Sequence, residues 1–192
     1  WRNAPHESLY GQASQTLGEA LLTPQWSTQA LLDASQRLER GHLIDFRQRF
    51  LEDLYVDAMA VGNLGPELAR EQANLMRGKL TPRLTRDDIP TLTPLAVEGD
   101  DRVLHPNSER EESIVLRYLQ GRDQTPHEQA ATQVLAQWLE TPFYQRLRTE
   151  EQLGYVVNAG YFPLLEVPGI AMVVQSPDAD SETIAERMDA FL

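Results

Sequence analysis

The sequence has no cysteine and four histidines, and this limits the disulfide and metal chemistry that it can support. Without cysteine the chain can form neither a disulfide nor a thiolate zinc site. The histidines are His6, His42, His105 and His127. No two of them are three or four residues apart, which is the spacing that helical zinc motifs need. We therefore expect no metal site in this chain.

Lysine is also scarce, and acidic residues outnumber basic ones. Lys79 is the one lysine among 17 basic residues, a usage that indicates a GC-rich, bacterial source. With 29 acidic residues the net charge is −12, which argues against nucleic acid or anionic lipid as the main partner. No apolar run approaches the ~20 residues that span a bilayer. We expect neither nucleic-acid nor membrane partners, and the compartment stays open.

What is present fits a globular protein of one or two domains. The chain has 192 residues, with 41% hydrophobic and 24% charged residues. It begins at Trp1 rather than at a methionine, and it stops inside a last helical pattern. We expect a fragment of a longer protein.

The first half combines helical and strand patterns. Apolar spacing predicts helices over residues 1–22, 24–40 and 43–52, the second with Thr23 as N-cap. The apolar run Leu54–Val61 predicts a buried strand, and a helix should follow from Gly65 to Leu80. Prolines then predict a linker over residues 81–99, with a domain boundary near residue 95. This order predicts an α+β fold with a layered antiparallel sheet and packed helices.

The second half repeats this order. Strands are predicted at residues 102–105 and 113–119. A helix should run from Thr125, the first residue of a capping box with Glu128, to about Leu147. Its predicted buried face consists of Ala131, Val134, Leu135, Trp138 and Leu139. A hairpin of two apolar strands and a helix capped by Ser181 complete the pattern, whereas the acidic run from Glu109 to Glu112 reads as a solvated surface.

Two polar residues lie where the long helix meets the hairpin. Arg148 is in the last helical turn, and Tyr155 begins a strand after Gly154, whose missing Cβ permits a sharp exit. Arg148 could simply pair with Glu150 or Glu151 or with the C-terminus of the helix, and Tyr155 could be a half-buried strand aromatic. Alternatively, both could face a peptide, with the guanidinium and the phenol donating to a carbonyl or a developing oxyanion.

The segment around these residues resembles a known family. Residues 147–157 read Leu-Arg-Thr-Glu-Glu-Gln-Leu-Gly-Tyr-Val-Val, which looks like a signature of the C-terminal half of the pitrilysin and insulin-degrading-enzyme family of zinc metallopeptidases. Weaker similarity extends over most of the chain, for example at residues 61–63 and 175–176. The resemblance implies two partial metallopeptidase-type α/β units: residues 1–95, the latter part of a third unit, and residues 96–192, the first part of a fourth.

The resemblance also implies a function. In this family an N-terminal half binds zinc through His-x-x-Glu-His, and a C-terminal half closes the chamber around a peptide. An Arg and a Tyr of the signature reach the substrate, and these correspond to Arg148 and Tyr155. The implied partners are a peptide and the N-terminal half of the same parent, with zinc held outside this chain. By itself the fragment should cut nothing.

Two other interpretations stay open. The chain could be an interaction module from a non-catalytic relative, such as a processing-peptidase core-type subunit. It could also be part of a family member that matures a cofactor. The upstream sequence would separate the first of these, since a His-x-x-Glu-His there favours an enzyme. Bacterial pitrilysins are often periplasmic, which suggests that compartment.

Overall fold

The structure is a computed structural model that describes residues 8–80, 82–97, 104 and 110–192. Its helices are α1 (Leu9–Leu21), α2 (Thr28–Gln36), α3 (Arg40–Glu52), α4 (Pro66–Leu80), α5 (Pro126–Tyr144) and α6 (Ser181–Phe191). Its strands are β1 (Leu22–Thr23), β2 (Thr93–Pro94), β3 (Ser113–Gln120), β4 (Val156–Tyr161) and β5 (Gly169–Ser176). Within these ranges no helix combines the length and the apolar character needed to cross a membrane.

Contacts divide the chain into two compact units. One combines Trp1–Leu31 with Leu92–Leu192, and the other is Leu32–Thr91. The division therefore differs from the sequence expectation of a single change of unit near residue 95. The assignment of residues 1–95 and 96–192 to a third and a fourth metallopeptidase-type unit stays a prediction.

The larger unit contains a three-stranded antiparallel sheet in the order β3-β5-β4. The predicted hairpin is confirmed, since β4 pairs with β5 from Val156–Gln175 to Tyr161–Ile170. On its other side β5 pairs with β3, where Gln175 lies opposite Ile114. As the central strand, β5 is buried at every residue except Ala171, and it is the rigid element to which the neighbouring segments attach.

One face of this sheet packs against α5 and α6. The side chains with the least exposure in this core are Phe143, Leu147, Met172, Val174, Ile184 and Met188. The rings of Phe143 and Phe191 meet edge to face with centroids 5.2 Å apart, which joins α5 to α6. The end of α5 is thus fixed from two sides.

The predicted buried face of α5 is wrong for most of its members. Val134, Leu135 and Trp138 are 67%, 45% and 71% exposed. Leu139 is half-buried against the core, whereas the buried positions are Thr132, Ala136 and Phe143. The covered side of the helix therefore starts with the small residues Thr132 and Ala136 and ends with Phe143.

The observed helix caps agree in part with those predicted from the sequence. The Thr125 hydroxyl accepts from Glu128 N at 3.2 Å, as predicted. The Glu128 carboxylate does not complete a capping box, because it accepts from Arg122 N at 2.9 Å. The cap of α6 is Asp180, which accepts from Thr183 N at 2.7 Å, and Ser181 is the first helical residue.

Other predictions for the first half need correction. Thr23 does not cap a helix: it pairs with Thr93 in the short β1–β2 ribbon, and α2 begins at Thr28. This ribbon and a 3₁₀ turn at Arg86–Asp88 interrupt the predicted structureless linker. Residues 54–61 form no strand, and the Leu54 carbonyl instead accepts from the amides of residues 83 and 84. The helix Pro66–Leu80 and the strand from Ser113 are confirmed, whereas the strand at 102–105 lies outside the described residues.

Candidate functional site

The end of α5 widens before it meets the sheet. From Gln145 to Glu150 the helix continues as a π-helical turn, and Leu147 in this turn is fully buried. The Leu147 carbonyl accepts from Leu153 N at 2.9 Å, which closes the turn. Gln152 then takes a left-handed conformation with φ 53°, and the chain turns toward β4. Wide turns of this kind occur often at functional sites because they reorient side chains.

Gly154 is required by a close approach of two backbone segments. A Cβ on Gly154 would lie 2.2 Å from the carbonyl oxygen of Gln175. That oxygen accepts from Tyr155 N at 3.0 Å, which ties the start of β4 to the end of β5. The sequence predicted that Gly154 permits a sharp exit, but the left-handed residue of this turn is Gln152. Gly154 instead provides room for the neighbouring strand.

Tyr155 lies at the end of the sheet with 51% of its surface exposed. Its hydroxyl donates to Glu112 Oε2 at 2.6 Å. Gln175 Nε2 donates to the same carboxylate oxygen at 2.6 Å and also contacts the Tyr155 hydroxyl oxygen. Three side chains from the ends of three strands therefore form one closed polar cluster, which we call the Tyr155 cluster (Glu112, Tyr155 and Gln175).

Charge in the Tyr155 cluster shifts two ionisations in opposite directions. The hydrogen bond from Tyr155, with that from Gln175, lowers the pKa of Glu112. The same bond to a carboxylate raises the pKa of Tyr155. The cluster therefore holds an ionised carboxylate and a protonated phenol at neutral pH. Glu112 was predicted to be part of a solvated acidic run, and nothing in the sequence links it to a tyrosine 43 residues away.

Arg148 is half-buried in the π-helical turn. Among the residues that the structure describes, its side chain has no hydrogen-bond or ion-pair partner. The predicted ion pairs with Glu150 and Glu151 do not form, and both carboxylates pair with Arg146 instead. Arg148 does lie in the last turn of the helix, where a cation is favoured, as the sequence also allowed. No described hydrogen bond or ion pair joins Arg148 to the Tyr155 cluster.

Glu151 fixes the turn that carries Arg148. Its carboxylate is 15% exposed and accepts from Arg146 Nε at 2.6 Å and from Arg187 Nε at 2.8 Å. The hydrogen bond from Arg187, then that from Arg146, lowers the pKa of Glu151. Because Arg187 belongs to α6, this carboxylate joins the turn to the next helix.

Comparisons with known proteins find a family model and several relatives that this chain is similar to. Residues 134–192 match the family described as "PQQ synthase PqqF-like, C-terminal lobe domain 4". The chain is 28% identical to "Insulin-degrading enzyme" of Drosophila melanogaster over 203 residues, covering 100% of this chain and 20% of that protein. It is 34% identical to "Coenzyme PQQ synthesis protein F" of Pseudomonas syringae over 112 residues, covering 58% and 14%. The resemblance to the pitrilysin and insulin-degrading-enzyme family is confirmed.

The fold agrees with this family. A crystal structure of pitrilysin superposes with a TM-score of 0.74 at 19% identity, over 99% of this chain and 20% of that one. The predicted α+β fold with an antiparallel sheet is therefore confirmed. The chain spans about a fifth of the length of pitrilysin and of the Drosophila relative. The relatives include bacterial and eukaryotic proteins, so the bacterial source stays a prediction.

The family match covers some residues of the site and not others. It includes Arg148, Tyr155 and Gln175, but it begins after Glu112. The roles of Arg148 and Tyr155 in substrate contact stay predictions. The signature in the sequence covers the corner between the π-helical turn and β4, whereas the acidic partner of Tyr155 appears only in the fold.

Proposed function

We propose that this chain is part of the C-terminal half of a pitrilysin-type zinc metalloendopeptidase. In this proposal it closes the peptide chamber and contacts the substrate through Arg148 and Tyr155. The catalytic zinc and its ligands belong to the N-terminal half of the parent protein. The chain alone cuts no peptide.

One observation supports this proposal most directly: Arg148 is half-buried and has no counter-ion within the described residues. Two described arginines are half-buried rather than exposed, Arg117 and Arg148. Arg117 pairs with Asp189, which neutralises it. Arg148 has no such partner within the described residues, although Glu150 and Glu151 follow it closely. A partly desolvated cation without a counter-ion is costly, and it is typical of a site that receives a ligand.

The chemistry of this guanidinium suits a peptide. An arginine offers five N–H donors and no acceptor, and backbone carbonyls are the acceptors of an extended peptide. During amide hydrolysis negative charge develops on the carbonyl oxygen, and a positioned cation stabilises that charge more than it stabilises the ground state. Tyr155 adds a neutral donor nearby in sequence, fixed to the sheet by its backbone bond to Gln175.

The described residues do not fit the zinc ion of the family. Across residues 8–80, 82–97, 104 and 110–192 no group of three or more potential ligands lies close enough together to hold a metal. A peptidase zinc site needs three protein ligands around one ion. In this proposal the chain binds and orients the peptide and stabilises charge on its carbonyl oxygen, and the zinc ligands come from the N-terminal half.

Kinetics of the complete parent protein test the proposal. We expect Arg148→Ala to lower kcat/KM for a peptide roughly a hundredfold, the usual loss for one oxyanion donor. Tyr155→Phe should lower it by a smaller factor, because a neutral donor contributes less. Zinc content, measured by atomic absorption, should stay unchanged in both variants.

A matched control is Arg122→Ala. The Arg122 side chain is 89% exposed and lies in the turn before α5, away from the corner. This variant should keep wild-type kinetics. Unchanged turnover in Arg148→Ala would refute substrate contact by Arg148. A parent protein without a His-x-x-Glu-His motif would favour an interaction module instead.

A second candidate is a peptidase that acts in the synthesis of coenzyme PQQ. It is favoured by the family match over residues 134–192 and by the 34% identity to a PQQ synthesis protein. Deletion of the gene should abolish the coenzyme in the culture, and the intact gene should restore it. A deletion strain with normal coenzyme levels would leave the general peptidase as the better proposal.

A further inference from the structure

Glu112 has a place in the Tyr155 cluster that neither the signature nor the family match assigns. It lies just before β3, Tyr155 lies just before β4, and Gln175 is near the end of β5. One carboxylate oxygen, Oε2, accepts both from the Tyr155 hydroxyl and from Gln175 Nε2 at 2.6 Å. Both bonds have a charged acceptor and are short, which makes them stronger than neutral bonds.

The cluster restrains an otherwise free ring. Tyr155 is 51% exposed, so packing alone does not fix its side chain. Gln175 is 7% exposed and is held in the central strand, so its amide is a rigid support. The phenol oxygen donates to Glu112 and contacts Gln175 Nε2, and these two partners fix its position.

We propose that Glu112 is a positioning residue for Tyr155, holding the phenol oxygen at the sheet end where a peptide meets it. This inference rests on the proposed function, in which Tyr155 contacts the substrate. An arriving carbonyl can then accept a hydrogen bond from the hydroxyl, whose single proton turns away from Glu112 by rotation about the C–O bond, while the contact of the phenol oxygen with Gln175 Nε2 keeps the ring in place. Preorganisation of this kind lowers the entropy cost of binding the reacting group.

The raised pKa of Tyr155 agrees with this arrangement. The nearby carboxylate keeps the phenol protonated, so it remains a donor above neutral pH. The positive charge of Arg110 makes a smaller contribution, which adds to the lowering of the pKa of Glu112 and partly offsets the rise in the pKa of Tyr155.

The test uses the complete parent protein with Glu112→Ala, Glu112→Gln and each combined with Tyr155→Phe. Glu112→Ala should lower kcat/KM about tenfold, the loss of one charge-assisted hydrogen bond. Glu112→Gln keeps an acceptor oxygen and should retain part of that activity. In the Tyr155→Phe background neither change at Glu112 should lower kcat/KM further, because the two residues act as one unit.

A titration gives a readout that does not depend on turnover. With ring-labelled tyrosine, nuclear magnetic resonance should show the pKa of Tyr155 falling toward its ordinary value in Glu112→Ala. Glu111→Ala is the matched control, since Glu111 is the exposed neighbour in the same acidic run and should change neither quantity.

The outcomes separate the two proposals. If Glu112→Ala causes an equal loss with and without the Tyr155→Phe substitution, the positioning role is overturned, and an unchanged Tyr155 titration would overturn it as well. Both results leave substrate contact by Tyr155 intact if Tyr155→Phe alone is impaired. Wild-type kinetics in Tyr155→Phe would refute that contact, and the role of Glu112 with it.

Discussion

Gly154→Ala is the substitution that probes the corner most directly. The new methyl carbon would lie 2.2 Å from the Gln175 oxygen, 2.9 Å from its carbonyl carbon and 3.2 Å from Val174 Cγ1. The first two are backbone atoms of the central strand, so no flexible side chain can move aside. An ordinary carbon–oxygen contact requires the strands to separate by about 1 Å. That movement breaks the bond from Tyr155 N to Gln175 O.

The cost follows from two terms. Overpacking against a fixed backbone costs about 1–3 kcal/mol, and the lost backbone hydrogen bond adds about 1 kcal/mol. We expect the free energy of opening the β4–β5 hairpin to fall by about 3 kcal/mol, so its amides should exchange roughly a hundredfold faster. Hydrogen exchange read by mass spectrometry on segments of this hairpin measures the change.

Gly160→Ala is the control for Gly154→Ala. Gly160 lies in β4, the strand that follows Gly154, and no atom is within 4 Å of the position of an added Cβ. This variant should exchange at the wild-type rate or more slowly, because alanine restricts the unfolded chain. If Gly154→Ala exchanged like Gly160→Ala, the close approach would not be the reason for the glycine.

Two further predictions concern stability of the purified protein in urea. Glu151→Gln should lower the free energy of unfolding by about 1–2 kcal/mol at pH 7, a modest loss because Arg146 and Arg187 are 56% and 46% exposed. Since folding lowers the pKa of Glu151, its contribution is present above its unfolded value of 4.5 and is lost as the pH falls through the folded one. A difference from wild type that persists in acid would contradict this assignment. Burial raises the pKa of Tyr118 to about 12, and its buried hydroxyl makes no hydrogen bond of normal geometry within the described residues. Tyr118→Phe should therefore change stability by less than about 1 kcal/mol, and a larger loss would reveal a partner for that hydroxyl.

The elements that the sequence predicted correctly carry their information locally. Thr125 and Pro126 mark a helix start through a side-chain cap and a fixed φ, and the structure has both. The two strands of the hairpin read as apolar runs next to glycines, and they pair as expected.

Errors arose where distant contacts decide the outcome. The apolar run at residues 54–61 has strand character, but an apolar run becomes a strand only if another strand pairs with it. The stripe with Val134 and Trp138 is more hydrophobic than the stripe with Thr132 and Ala136, yet the sheet covers the second. Neither choice can be read from spacing, since both depend on which surface the fold brings near.

At this corner, the residues that hold the backbone in place differ from the two that are proposed to contact a substrate. Glu151 ties the π-helical turn to α6, and the Tyr155 amide ties β4 to the buried central strand. These anchors fix the backbone on both sides of the loop, whereas Tyr155 is half exposed and Arg148 has no ion-pair partner within the described residues. Under the proposed function, changes at Arg148 and Tyr155 should therefore alter peptide binding more than stability, whereas changes at Glu151 or Gly154 should lower the stability of the fold. Side chains presented by rigid elements in this way are typical of binding sites.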